Sequence, residues 1–148
     1  MNDDTFLGVI DATPLVSIDL ILENSAGQVL LGLRNNRPAQ GSWFVPGGRI
    51  RKNETLAQAM ARISETELGT TFDIADAALI GAYDHIYDDN YLGREGINTH
   101  YVVLGHRVLL PEGFEVKRDD QHSELRFWDK SDLMASEDVH ANTKAYFR

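Results

Sequence analysis

A glutamate set in the middle of an apolar helical stripe constrains this chain more than any other feature. The spacing predicts a helix over Thr55 to Leu68: Thr55 with Gln58 makes a capping box, and Gly69 stands where a C-terminal cap is wanted. Leu56, Ala59, Met60 and Ile63 follow the i, i+3, i+4, i+7 rule and define its apolar face. At 100° per residue Glu67 projects only about 20° from Leu56, inside that face. A carboxylate facing the core is costly unless an arginine or a metal meets it. Either such a partner exists, or the helix frays near its end and lets Glu67 reach water.

Immediately before the helix, Trp43-Phe44-Val45-Pro46-Gly47-Gly48-Arg49 reads as an apolar strand running into a Gly-Gly turn, with Glu54 six residues after Gly48. Adjacent glycines permit positive φ and close approach of another group to the backbone. A strand, a Gly-Gly loop and a helix carrying an inward glutamate form a strong combination, because backbone oxygens and a carboxylate can share a hard cation. The chain has no cysteine, which excludes disulfides, thiolate catalysis and zinc ribbons. Any metal site must use oxygen or imidazole ligands, a set suited to Mg²⁺ or Mn²⁺.

Strand patterns flank this unit. Pro14 to Glu23 alternates, with Val16, Ile18, Leu20 and Leu22 on one face and Ser17, Asp19, Ile21 and Glu23 on the other. Asn24-Ser25-Ala26-Gly27 then turns the chain into Gln28 to Leu33, predicting a hairpin. Ala78 to Tyr87, His100 to Leu110 and Leu125 to Asp129 are further strands, and 88–99 and 111–124 are long polar loops. With no linker or repeat, the 148 residues form one α/β (α+β) domain. Its 14 basic against 23 acidic residues give a net charge of −9, which argues against a general nucleic-acid binder unless the basic residues cluster strongly. No apolar run approaches the ~18 residues of a membrane span, and Met1-Asn2-Asp3-Asp4 does not open a signal peptide, so a cytoplasmic location is expected.

The pattern from Gly48 onward resembles the Nudix box. Its usual form is Gly, five residues, Glu, seven residues, Arg-Glu, an aliphatic, any residue, Glu-Glu, any residue, Gly, an aliphatic. Gly48, Glu54, Arg62, Glu67 and Gly69 fall at the matching spacings. Ile63 and Thr66 stand where two of the box glutamates would be, and Ser64 and Thr70 replace the aliphatics. That loss, with Arg37-Pro38-Ala39-Gln40-Gly41-Ser42-Trp43 leading into the Gly-Gly segment, resembles the GDP-mannose mannosyl hydrolase branch of the family. The likeness extends over Thr13 to Ser17, His85 with Tyr87 to Asn90, Thr99 to Gly105, Asp120 to His122 and Val139 to Asn142.

The resemblance implies the Nudix fold, a mixed β-sheet sandwiched between helices, and a homodimer. It implies hydrolysis of GDP-mannose, or in some cases GDP-glucose, to GDP and free sugar by inverting attack of water on the anomeric carbon. Glu67 and Gln121, with the carbonyl of Gly47, look like ligands of one Mg²⁺ per subunit. His122 resembles the general base. Arg34 and Arg49 look like diphosphate ligands, and Tyr101 a further donor to the departing GDP. Asp19 and His85 line the sugar end, and Phe6 matches a position that packs near the nucleotide. A conventional Nudix pyrophosphohydrolase cleaving P–O–P in a nucleoside diphosphate derivative is the alternative, and a non-catalytic nucleotide-sugar binding module is a third reading. The homodimer has a second motive in the N-terminal apolar residues Phe6, Leu7, Val9 and Ile10, surface that a small domain leaves for a partner.

Overall fold

The computed structural model describes residues 1–116 and 122–148, with the side chains of His122 and Ser123 left out. Among the described residues seven strands form one mixed sheet: β1 (Leu15–Glu23), β2 (Val29–Arg34), β3 (Trp43–Phe44), β4 (Gly47–Arg49), β5 (Ala78–Tyr87), β6 (Thr99–Leu109) and β7 (His122–Trp128). Their order is β3-β2-β1-β6-β5, with β4 added to β1 and β7 to β2. β1 and β6 run parallel over nine register pairs, from Leu15↔Tyr101 to Glu23↔Leu109.

β1 is buried on both faces, as a central strand between two layers must be. Ile18, Leu20 and Leu22 pack with Ala59, Met60, Ile63 and Leu68 of α2 (Leu56–Leu68). Ile21 packs on the other side with Val29, Leu31, Leu133 and Val139. The capping box at Thr55 and Gln58 forms, and Gly69 closes α2 in the left-handed conformation, with φ 68° and ψ 13°. The helix therefore does not fray at Glu67. Its buried face begins at Ala59, so Leu56, placed in the stripe by spacing, is 45% exposed on the first turn. Val16, expected inside with Ile18, is likewise 43% exposed.

Two expectations need larger corrections. The Gly-Gly turn is a strand: β4 pairs antiparallel with β1, Ile18 opposite Gly48 and Asp19 opposite Gly47. Neither glycine has a positive φ. Both serve close approach instead, since a side chain on Gly47 would run into Asp19 Oδ1 and the Ile18 carbonyl, and one on Gly48 would press on Ile63. The second correction concerns the N-terminus, which forms α1 (Asp3–Ala12), capped by Asn2 Oδ1 accepting from the Thr5 amide at 2.8 Å. Leu7 and Ile10 are buried against Leu15 of the same chain. These two are therefore not free to meet a partner subunit, whereas Phe6 and Val9 are half-buried beside them. α3 (Lys130–Ala135) and α4 (Ala141–Lys144) are too short to show periodicity in sequence.

Candidate active site

The segment between β4 and α2 is held by one guanidinium. Arg62 donates from Nε to Glu54 Oε2 at 2.7 Å and from Nη2 to Glu54 Oε1 at 2.9 Å and to the Arg49 carbonyl at 2.8 Å. Glu54 Oε1 also accepts from the Arg51 amide at 2.7 Å. These charge-assisted bonds tie β4 to α2. They also reveal how β4 is oriented. Leu20 N donates to the Pro46 carbonyl and Ile50 N to the Val16 carbonyl, both at 2.8 Å, so residues 46, 48 and 50 bond to β1. In an antiparallel ladder the intervening residues, Gly47 and Arg49, then aim their carbonyls at the opposite edge. The Arg62 bond to Arg49 shows that this edge faces α2. Gly47 thus offers a carbonyl oxygen toward the helix that carries Glu67.

Glu67 is buried, at 5% exposure, yet lines a cavity of about 340 Å³. Asp19, Arg34, Gly47, Arg49, His85 and Tyr101 line the same cavity. A second cavity of about 450 Å³ opens beside it, lined by Phe6, Ile10, Arg37, Tyr91 and Thr99. Arg34, Asn36, Arg49 and Tyr101 belong to both and form the seam between them. The two seam arginines rest on aromatic rings, Arg34 at 5.1 Å from the Phe44 centroid and Arg49 at 4.6 Å from that of Phe6. Phe44 is stacked on its own account against His140, at 4.7 Å and 22°. Arg62 is neutralised by Glu54, whereas Arg34 and Arg49 make no ion pair among the described residues. The described residues that line the seam therefore carry positive charge within an otherwise acidic chain.

A model of the NUDIX domain matches residues 13–148. The chain belongs to the Nudix family. It is 40% identical over 128 residues to the low-salt glycan biosynthesis protein Agl8 of Haloferax volcanii, covering 86% of this chain and 78% of that one. It is 28% identical over 120 residues to an ADP-ribose pyrophosphatase of Methanocaldococcus jannaschii, covering 81% of this chain and 64% of that one. Among solved structures it resembles the MutT protein of Methanosarcina mazei Go1, with a TM-score of 0.73, 20% identity and 92% of both chains covered. Family membership supports a Nudix hydrolase, of pyrophosphohydrolase type at this level, and Nudix hydrolases generally use a divalent metal such as Mg²⁺. No described helix is long and apolar enough to cross a membrane.

In this Nudix domain the box residues divide into two jobs. Glu54 and Arg62 tie β4 to α2, and Arg62 also lines the cavity that Glu67 faces. Ile63, at a position where the family pattern has a glutamate, is 1% exposed and packs on Gly48. Thr66 lines the cavity where another glutamate would be. Among the described residues no three carboxylates or imidazoles gather as a metal cluster. The oxygens of Glu67 and Gly47 suit a hard cation, and a third ligand must come from elsewhere. Gln121, the sequence's candidate, lies outside the described residues. His122 is described in its backbone alone, which pairs with Arg34 at the start of β7.

Burial sets the protonation of the cavity floor. It pushes the Asp19 carboxyl up to about 7, against a hydrogen bond from Tyr146 and the charge of Arg34. It drives His85 down to about 4, helped by nearby His140, so that this ring is neutral at pH 7. Among the described residues His85 Nε2 is buried without a hydrogen-bond partner. Burial also raises the Tyr101 and Tyr87 phenols, keeping both as donors. Arg34, Arg49, Tyr101, Asp19, His85, Gly47 and Glu67 are therefore brought to one cavity, and Phe6 to its neighbour. Sequence reasoning missed Tyr146. It belongs to no motif, and its partner lies 127 residues away in the chain.

Proposed function

We propose that this Nudix hydrolase splits a GDP-sugar, GDP-mannose first and GDP-glucose second, into GDP and free sugar by attack of water on the anomeric carbon. The observation that carries the reading is the shared seam. A diphosphate lying across Arg34, Arg49 and Tyr101 would place its sugar in the cavity with Glu67 and its nucleoside in the cavity with Phe6 and Tyr91. Both volumes fall in the range of ligand sites. The kinship with a protein named for glycan biosynthesis fits a sugar-bearing substrate.

Stretching the glycosidic bond moves negative charge onto the β-phosphate. Arg34, Arg49 and the Tyr101 hydroxyl meet that charge where it grows, which favours the transition state over bound substrate. A divalent cation held by Glu67, the Gly47 carbonyl and Gln121 would add positive charge against the same departing diphosphate. A ring nitrogen of His122 accepts the proton of the attacking water, and Asp19 and His85 face the sugar hydroxyls. Attack on carbon is preferred to attack on phosphorus because Ile63 and Thr66 occupy glutamate positions of the box.

Incubation with GDP-mannose and Mg²⁺ in ¹⁸O-water tests the reading. Free mannose should carry the label and GDP none, and the β anomer should appear first, because a single displacement inverts the α-linked centre. Mannose 1-phosphate with GMP would instead establish the pyrophosphohydrolase that family membership and the ADP-ribose pyrophosphatase kinship favour. Binding without turnover would leave a nucleotide-sugar receptor. The homodimer and the cytoplasmic location belong to the same proposal, and sedimentation showing only a 16.6 kDa species at micromolar concentration would remove the dimer.

A further inference from the structure

We propose that Tyr146 is a positioning residue: its hydroxyl holds the Asp19 carboxylate in the orientation in which it faces the sugar. The inference rests on the GDP-sugar reading of the cavity. Tyr146 donates to Asp19 Oδ2 at 2.6 Å, at the short end for an O–H···O bond. The other carboxylate oxygen, Oδ1, lies over Gly47, in space that any side chain at position 47 would take. One oxygen is thus held by a phenol, and the other occupies room that the missing side chain of Gly47 leaves.

The ring of Tyr146 is itself set in place. It meets Tyr83 edge-on at 4.7 Å and 76°. It also passes beside Gly105, where an added Cβ would stand 3.0 Å from Tyr146 Cε1. Gly105 is the register partner of Asp19 on β6. The missing side chain therefore opens a lane for the phenol next to the carboxylate it holds.

A tether for the chain end would explain the contact without any role in turnover, but that end is anchored independently. Trp43 N donates to the Asp138 carbonyl at 2.8 Å and His140 N to the Trp43 carbonyl at 3.1 Å. Val45 N donates to Thr143 Oγ1 at 3.3 Å. Residues 138–143 are thus held against β3 without help from the Tyr146 hydroxyl, whose hydrogen bond goes to Asp19.

The test compares wild type, Tyr146→Phe, Asp19→Asn and the double variant, with melting temperature as the folding control. Tyr146→Phe should melt near wild type and lower kcat/KM for GDP-mannose by about 10-fold, the scale of one hydrogen bond to a charged group. Inhibition by GDP, which has no sugar, should stay within about twofold. In the Asp19→Asn background the same change should cost less than about twofold, because the residues act as one unit. Gly105→Ala, which crowds the ring and spares the hydroxyl, should lower GDP-mannose turnover while sparing GDP inhibition. Normal turnover by Tyr146→Phe, equal losses for GDP and GDP-mannose, or additive effects with Asp19→Asn would each overturn the inference. A wild type that frees no sugar would overturn the proposed function, and the sugar-facing role of Tyr146 with it.

Discussion

The two walls of the cavity system are built by opposite strategies. The wall from β4 to α2 is held by bonds between near neighbours: Arg62 to Glu54 spans eight residues and Arg62 to Arg49 thirteen. The facing walls are made by the chain ends. Tyr91 reaches Asp3 across 88 residues, Arg94 reaches Asp4 across 90, and Thr143 accepts from Val45 across 98. Local wiring leaves a spacing pattern, and long-range wiring leaves none. It also divides the labour: the local wall presents Glu67 and Gly47, and the chain ends present Phe6 and hold Asp19 through Tyr146.

The sharpest way to break this division is at a residue that belongs to neither wall. His122, the proposed general base, has its backbone paired with Arg34 where β7 meets β2. Changing His122 to Gln should slow turnover by about 10² to 10⁴ while leaving GDP-mannose and metal binding largely intact, because a general base acts in the transition state. Steady-state kinetics beside equilibrium binding reads both quantities. Turnover within threefold of wild type would move the base role to another group, Asp19 first.

On the local wall, changing Glu67 to Gln should cost about 10² to 10³ in kcat, in keeping with loss of a preorganised charge at the reacting end. Chelation of divalent metal should abolish wild-type activity, and added Mg²⁺ should restore it. Excess Mg²⁺ should recover part of the variant's activity. A variant with unchanged turnover and metal affinity would mean that Glu67 is buried for reasons of its own.

How far the site was legible follows the same divide. Thr55, Gln58 and Gly69 announced α2 because caps are read over three or four residues, and Glu67 stood out because 100° periodicity set it among apolar neighbours. By sequence the Gly-Gly pair reads as a turn because two glycines permit one. Only the pairing with β1 shows that crowding by Asp19 and Ile63, and not φ, demands them. α1 escaped notice because Phe6, Leu7, Val9 and Ile10 are too few to set a period, and their burial depends on Leu15 and on the loop that carries Tyr91. Tyr146 could not be found by any local rule.

On the chain-end wall, Phe6 gives a smaller and more selective effect. Its ring pairs with Tyr91 at 5.4 Å and carries Arg49 on its face. Changing Phe6 to Ala should raise KM for GDP-mannose and weaken inhibition by GDP together, each by about 10-fold, the scale of one base–aromatic contact. kcat should stay within about threefold. A selective loss of kcat would mean that α1 acts on the reacting end and would erase the division between the walls.

The mildest change separates architecture from chemistry within the local wall. Glu54 touches Arg62 and the Arg51 amide and does not line either cavity. Changing it to Gln should therefore lower melting temperature at pH 7 but keep kcat within about threefold at saturating metal. The hydrogen bonds from Arg62 hold its carboxyl down at about 2, against an ordinary value of 4.5. A carboxyl depressed in the folded chain stabilises it fully above the unfolded value, and that stabilisation drains away as pH falls toward the folded value. Wild type should thus exceed Glu54→Gln in urea midpoint at pH 7, keep the gap down to about pH 5, and lose it progressively between 4.5 and 2. A gap that persists at the acid end would show that shape, and not charge, holds β4 to α2. No gap at neutral pH would show that the bond from Arg62 to the Arg49 carbonyl ties β4 to α2 without Glu54.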